Sequence, residues 1–152
     1  MGGVEFPVPG SEQLREELLR RWGEPHRHYH DRRHLSEVLA ALPDDAPRAV
    51  RLAAWYHDAV YDPTRDDNEE ASARLAREQL HALVSDESFA ELHAFARRAG
   101  IPGRAFERDH YDVPAERHAA LIASGAVPVR ARELVARLSA AGLRRPKGRP
   151  AP

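Results

Sequence analysis

Apolar residues recur along the chain at three- and four-residue intervals, broken by short clusters of Gly, Pro and Asp. That rhythm predicts a succession of amphipathic helices. Leu14, Leu18 and Leu19 share one face of a first helix that runs from a Ser11 cap to Trp22, where Gly23-Glu24-Pro25 ends it. Leu35, Val38, Leu39 and Leu42 form the stripe of a second helix over 32–42. Pro43-Asp44-Asp45 breaks that helix, and Asp45 with Pro47 opens a third over 46–60. The third is apolar and Ala-rich, with Val50, Leu52, Ala53, Ala54 and Trp55. His57 follows Ala53 and Ala54 by four and three positions, so it shares their inward face. After a loop at 62–67, a fourth helix is expected over 68–83, with Ala71, Leu75, Ala76, Leu80 and Leu83 inward.

Ser85 is expected to cap a fifth helix over 87–99, on which Phe89, Leu92, Phe95 and Ala96 face the interior until Gly100-Ile101-Pro102-Gly103 stops it. From Arg104 to Val113 the helical period is lost, and one short strand fits there. Pro114 opens a helix to Ser124, Gly125–Val129 reads as a turn or a short strand, and a last helix takes 130–141. Residues 1–10 and 147–152, rich in Gly and Pro, are expected to be disordered. The expected fold is mainly α. A helical part over 11–83 precedes a small α(+β) module over 84–146 with one or two short strands.

Composition narrows the function classes. The 152 residues suffice for one ordinary domain or two small ones. No apolar run is long enough for a membrane span, and an N-terminus with Pro7, Pro9 and five acidic residues in its first thirty positions fits no targeting peptide. The expectation is a cytoplasmic protein without a membrane partner. The absence of cysteine leaves only histidine and carboxylate as metal ligands. Residues 1–84 hold eleven basic and sixteen acidic side chains, residues 85–152 twelve and eight. Such a split marks pieces with different partners or pieces that attract each other, or simply a solvated surface. With a single lysine and no basic run longer than two in the positive half, nucleic acid is disfavoured as a partner. A homo-oligomer stays open.

Histidine supplies the candidate chemistry. His26, His28, His30 and His34 fall within nine residues, and His57-Asp58 follows inside an aromatic stretch. His26 and His28 read equally well as surface residues. An inward carboxylate beside His57 needs a cation, and a divalent metal supplies one. A second group, Asp109-His110-Tyr111-Asp112, reads as an acid–base or metal site or, with more weight, as a strand end. In the strand-end reading Tyr111 and Val113 pack inward while Asp109, His110 and Asp112 face water or cap the next helix. His93 reads as a core or boundary residue, and His81 and His118 as surface residues.

Three ordered motifs carry a resemblance. Arg27-x-Tyr29-His30-x-x-x-His34-Leu35, Ala53-Ala54-Trp55-Tyr56-His57-Asp58-Ala59-Val60-Tyr61-Asp62-Pro63 and Asp67-Asn68-Glu69-Glu70-Ala71-Ser72-Ala73 resemble the HD superfamily of metal-dependent phosphohydrolases over about 14–80. The resemblance implies His34, His57 and Asp58 as metal ligands, with Mn, Mg, Fe, Ni or Zn as the divalent ion. It implies His30 and Asp58 as catalytic groups, with His30 protonating the leaving oxygen. Arg27 would hold a non-bridging oxygen, and Glu69 or Glu70 would orient a ligand or the water. The distal aspartate that completes this family's site has no counterpart in an apolar helical stripe here, and Asp109 or Asp112 is the available substitute.

From His81 to about 146 the chain resembles a different family, a bacterial domain of unknown function. The residues that carry this are Leu83–Ala96, Asp109–Arg117 and Gly125–Leu134. The chain thus reads as part of one family joined to part of another. The function implied is hydrolysis of a nucleotide or other small phosphate ester, impaired if the distal ligand is lost. The alternative is a non-catalytic helical interaction or binding protein with a remnant metal site.

Overall fold

A computed structural model describes residues 5–145. They fall into two compact units that divide between Leu80 and His81. The fold is mainly α. Seven α-helices and three short strands are formed among the described residues.

The first unit contains α1 (Glu12–Trp22), α2 (Arg32–Ala40), α3 (Arg48–Tyr56) and α4 (Asn68–Gln79). Its core gathers Leu14, Leu18 and Trp22 of α1, Leu35 of α2, Trp55 and Tyr56 of α3, and Ala59. Phe6 and Val8 are buried in the same core, and Phe6 meets Trp55 edge-on at 5.1 Å. The expectation of a disordered start therefore fails from Glu5 onward, where the Phe6 and Val8 side chains are removed from water in this core. Residues 1–4 and 146–152 lie outside the described residues. Ser11 occupies the position before α1 without capping it; its hydroxyl donates to the Val8 carbonyl and ties this N-terminal arm down.

The last four residues assigned by periodicity to a helix form β1 (Leu80–Leu83), and the second unit takes up the chain at the strand's second residue, His81. It continues with α5 (Phe89–Arg98), β2 (Phe106–Glu107), β3 (His110–Pro114), α6 (His118–Ala123) and α7 (Ala131–Ala140). The strands form a sheet in the order β1-β3-β2, with β2 and β3 antiparallel in the register Phe106 to Tyr111 and Glu107 to His110. Three strands thus replace the one or two expected, whereas 125–129 forms none. Leu92 and Ala96 of α5, Tyr111 and Val113 of β3, Ile101, Ala105 and Leu121 make a separate core. Ser88, not Ser85, caps α5, accepting from the Glu91 amide, while Ser85 holds the preceding turn by accepting from the amides of Glu87 and Ser88.

Candidate functional site

In the first unit the chain turns twice to bring histidines together. Asp31 caps α2, its carboxylate accepting from the backbone amides of Arg33 and His34 at 2.9 and 3.0 Å. These N–H bonds, that of His34 above all, hold the Asp31 carboxyl below the usual carboxylate range. They also fix His34 in the first turn of α2. His57 stands at the C-terminal cap of α3, and Asp58 follows immediately. Trp22, at the end of α1, donates its indole N–H to the Trp55 carbonyl at 3.0 Å and sets its ring 5.2 Å from that of His57.

One donor atom from each of His30, His34 and Asp58 lies within 4.8 Å of the others. His57 adds a fourth side chain to the group. Its Nε2 is 3.3 Å from His34 Nε2 and 3.2 Å from Asp58 Oδ2. Asp58 Oδ2 also accepts from His30 Nδ1 at 2.7 Å. The Ala54 carbonyl accepts from His57 Nδ1 at 2.8 Å, which places the ring hydrogen there and leaves Nε2 as a lone pair facing the cluster. This is the backbone support that metal-binding imidazoles characteristically have.

A divalent metal suits these side chains on two counts. Imidazole nitrogen and carboxylate oxygen are the donors such ions take. Ligands at about 2.0–2.1 Å on a tetrahedron stand about 3.3 Å from one another. The His34–His57 and His57–Asp58 separations match that edge, whereas the His30–Asp58 separation is shorter and is a hydrogen bond. His30, His34 and Asp58 each offer a donor atom within reach of one position, and His57 Nε2 lies beside both His34 and Asp58.

Arg27 departs from its expected role. Its side chain is 0% exposed, so it presents no surface to a substrate oxygen. Its Nε donates to Glu24 at 3.0 Å, Nη1 to the carbonyls of His30 and Asp58 at 3.0 and 2.7 Å, and Nη2 to the Ala59 carbonyl at 3.1 Å. Four of the five guanidinium N–H groups are thereby committed. Glu69 and Glu70 are exposed on the first turn of α4, outside the cluster.

The inner face of α4 carries supports that the sequence reading passed over. Buried Ser72 accepts from the Val60 amide at 3.0 Å and donates to the Val60 carbonyl at 3.2 Å. Asn68 accepts from the Asp62 amide and donates to the Asp62 carbonyl. Two polar residues four apart were the available signal, since that spacing places both on one helix face. His26 donates to the Tyr61 carbonyl at 2.8 Å and stacks on the Tyr61 ring, while His28 is exposed.

In the second unit, Asp109 is 1% exposed, not solvated. It accepts from His110 Nδ1, from Arg144 and from the Arg145 amide. Those partners outweigh the burial that opposes its ionisation and hold its carboxyl below the ordinary range. Its oxygens are thus engaged within this unit. His110 Nε2 meets Asp112 at 3.2 Å. Although burial disfavours its charge, the two carboxylates raise its pKa above the ordinary histidine value. His81 and His118, expected at the surface, are half-buried and stack at 4.6 Å. Burial, then the neighbouring His118, lowers the His81 pKa.

A family described as "Protein of unknown function (DUF4031)" matches residues 66–141. No curated protein and no solved structure matches the chain. The matched range begins ahead of His81 and takes in Asp67–Ala73 as well as the sheet and helices of the second unit, while the histidine cluster at residues 30–58 precedes it. A domain of unknown function is thus present, as expected at that coarse level. Half of the chain's 152 residues fall within the match, and the chain belongs to this DUF4031 family.

Proposed function

We propose that the first unit is a metal-dependent phosphohydrolase acting on a nucleotide or other small phosphate ester. The observation that supports this most is the convergence of three imidazoles and one carboxylate, with His57 oriented by the Ala54 carbonyl. His34, His57 and Asp58 would hold the divalent ion, which supplies Lewis acidity toward a phosphoryl oxygen and toward water. Asp58 orients the His30 ring through Nδ1 and leaves Nε2 as the nitrogen that holds or releases a proton beside a leaving oxygen. Trp22 lies against the rings of His34 and His57 at 6.3 and 5.2 Å and limits water on that side. The likeness of the three N-terminal motifs to HD phosphohydrolases points to the same chemistry.

The test is hydrolysis of a panel of phosphate esters by the full chain supplied in turn with Mn, Mg, Fe, Ni or Zn. We expect turnover of at least one ester that falls more than about a hundred-fold in His57→Ala and Asp58→Ala. Turnover that survives both substitutions, or none with any metal, would reject the reading. The latter result would favour a non-catalytic binding protein, a reading that the exposed position of Glu70 and the commitment of Arg27 also suit.

A further inference from the structure

Arg27 Nη1 is shared between two carbonyls that belong to His30 and Asp58. Those are the two residues whose side chains meet at 2.7 Å. One buried nitrogen therefore links the main chains of a pair that lie 28 positions apart and bond through their side chains. The guanidinium lies over the rings of Trp22 and Tyr61, each centred 5.4 Å away. It also lies beside the chain just past α3, where it donates to the carbonyls of Asp58 and Ala59.

We infer that Arg27 is a positioning residue, setting the distance between His30 and Asp58 by fastening the His30 loop to the end of α3. A planar fork can reach carbonyls of His30, Asp58 and Ala59 while its Nε donates to Glu24. A lysine ammonium has three donors on one atom and cannot span them. The other routes across this gap are less direct. His26 holds only the Tyr61 carbonyl, and Ser72 holds Val60. The inference rests on the proposed function only for its consequence on metal binding.

The experiment uses the full chain with nitrogen-15-labelled histidine, first free of metal. Wild type is expected to show a low-field His30 Nδ1–H resonance from the bond to Asp58. That resonance should vanish in Arg27→Lys and Arg27→Met while circular dichroism and cooperative melting persist. Its retention in either folded variant, or its absence from wild type, would overturn the inference. Failure of both variants to fold would make Arg27 a general stabilising residue and overturn the inference as well. A second measurement titrates cobalt(II), for which Arg27→Lys should bind about 10–100-fold more weakly than wild type. Equal affinity counts against the positioning role. A wild type that binds no cobalt rejects the metal reading, and the resonance still decides the role of Arg27.

Discussion

His110 has both ring nitrogens within hydrogen-bond reach of carboxylates, Asp109 at 2.9 Å and Asp112 at 3.2 Å. Both nitrogens can donate only when the ring is protonated. Its folded pKa accordingly lies above the ordinary value of 6.5. The stabilisation is fully present below pH 6.5 and is lost as pH rises through the raised folded value. Asp109 behaves oppositely. Its contribution is present above the ordinary 3.8 and is lost as pH falls through the depressed folded value. We expect the protection of the Tyr111 and Val113 amides, taken relative to the base-catalysed exchange of an unfolded chain, to fall on the alkaline side in wild type, and His110→Gln to flatten that fall. An unchanged alkaline slope in the variant would remove His110 as its source. The sequence exposed these residues as a group but not their setting. Asp109 is buried because Arg144 and the Arg145 amide return to it from 35 and 36 positions away, a pairing no local pattern records.

The helices follow their apolar spacing closely, and the departures have local causes. The fourth was expected to reach Leu83 but stops at Gln79, where Leu80 adopts an extended backbone and β1 begins. Leu80 and Leu83 suit a buried helix face and a short strand equally, so periodicity alone could not decide between them. The cap of α2 matters more for the site because Asp31 fixes the turn that carries His34. Asp31→Ala is expected to lower the melting temperature by roughly 4–8 °C and to weaken metal binding. Asp31→Asn, which can still accept from those amides, should restore most of both. A loss in Asn equal to that in Ala would show that capping is not what Asp31 contributes. The candidate site was legible as residue types, since His30, His34, His57 and Asp58 do meet. The burial of Arg27 was not legible, because its partners are main-chain carbonyls, which have no residue-type signature.

Two separate apolar cores organise the chain, one about Leu18 and Trp22 and one about Leu92 and Tyr111. Leu18→Ala and Leu92→Ala, each at a fully buried position, are expected to cost about 2–5 kcal/mol. Each loss should appear first in amide protection of its own unit, and equal loosening of both units by either substitution would contradict two cores. The family match covers the second core and not the histidine cluster. The function proposed for the cluster therefore stands on the chemistry of the first unit. Cobalt(II) titration of the full chain, followed by its visible absorption, addresses that chemistry most directly. The account predicts one tightly bound equivalent in wild type and loss of that binding in each of His34→Ala, His57→Ala and Asp58→Ala. Wild type that takes up no cobalt, or variants that bind it as wild type does, would contradict it.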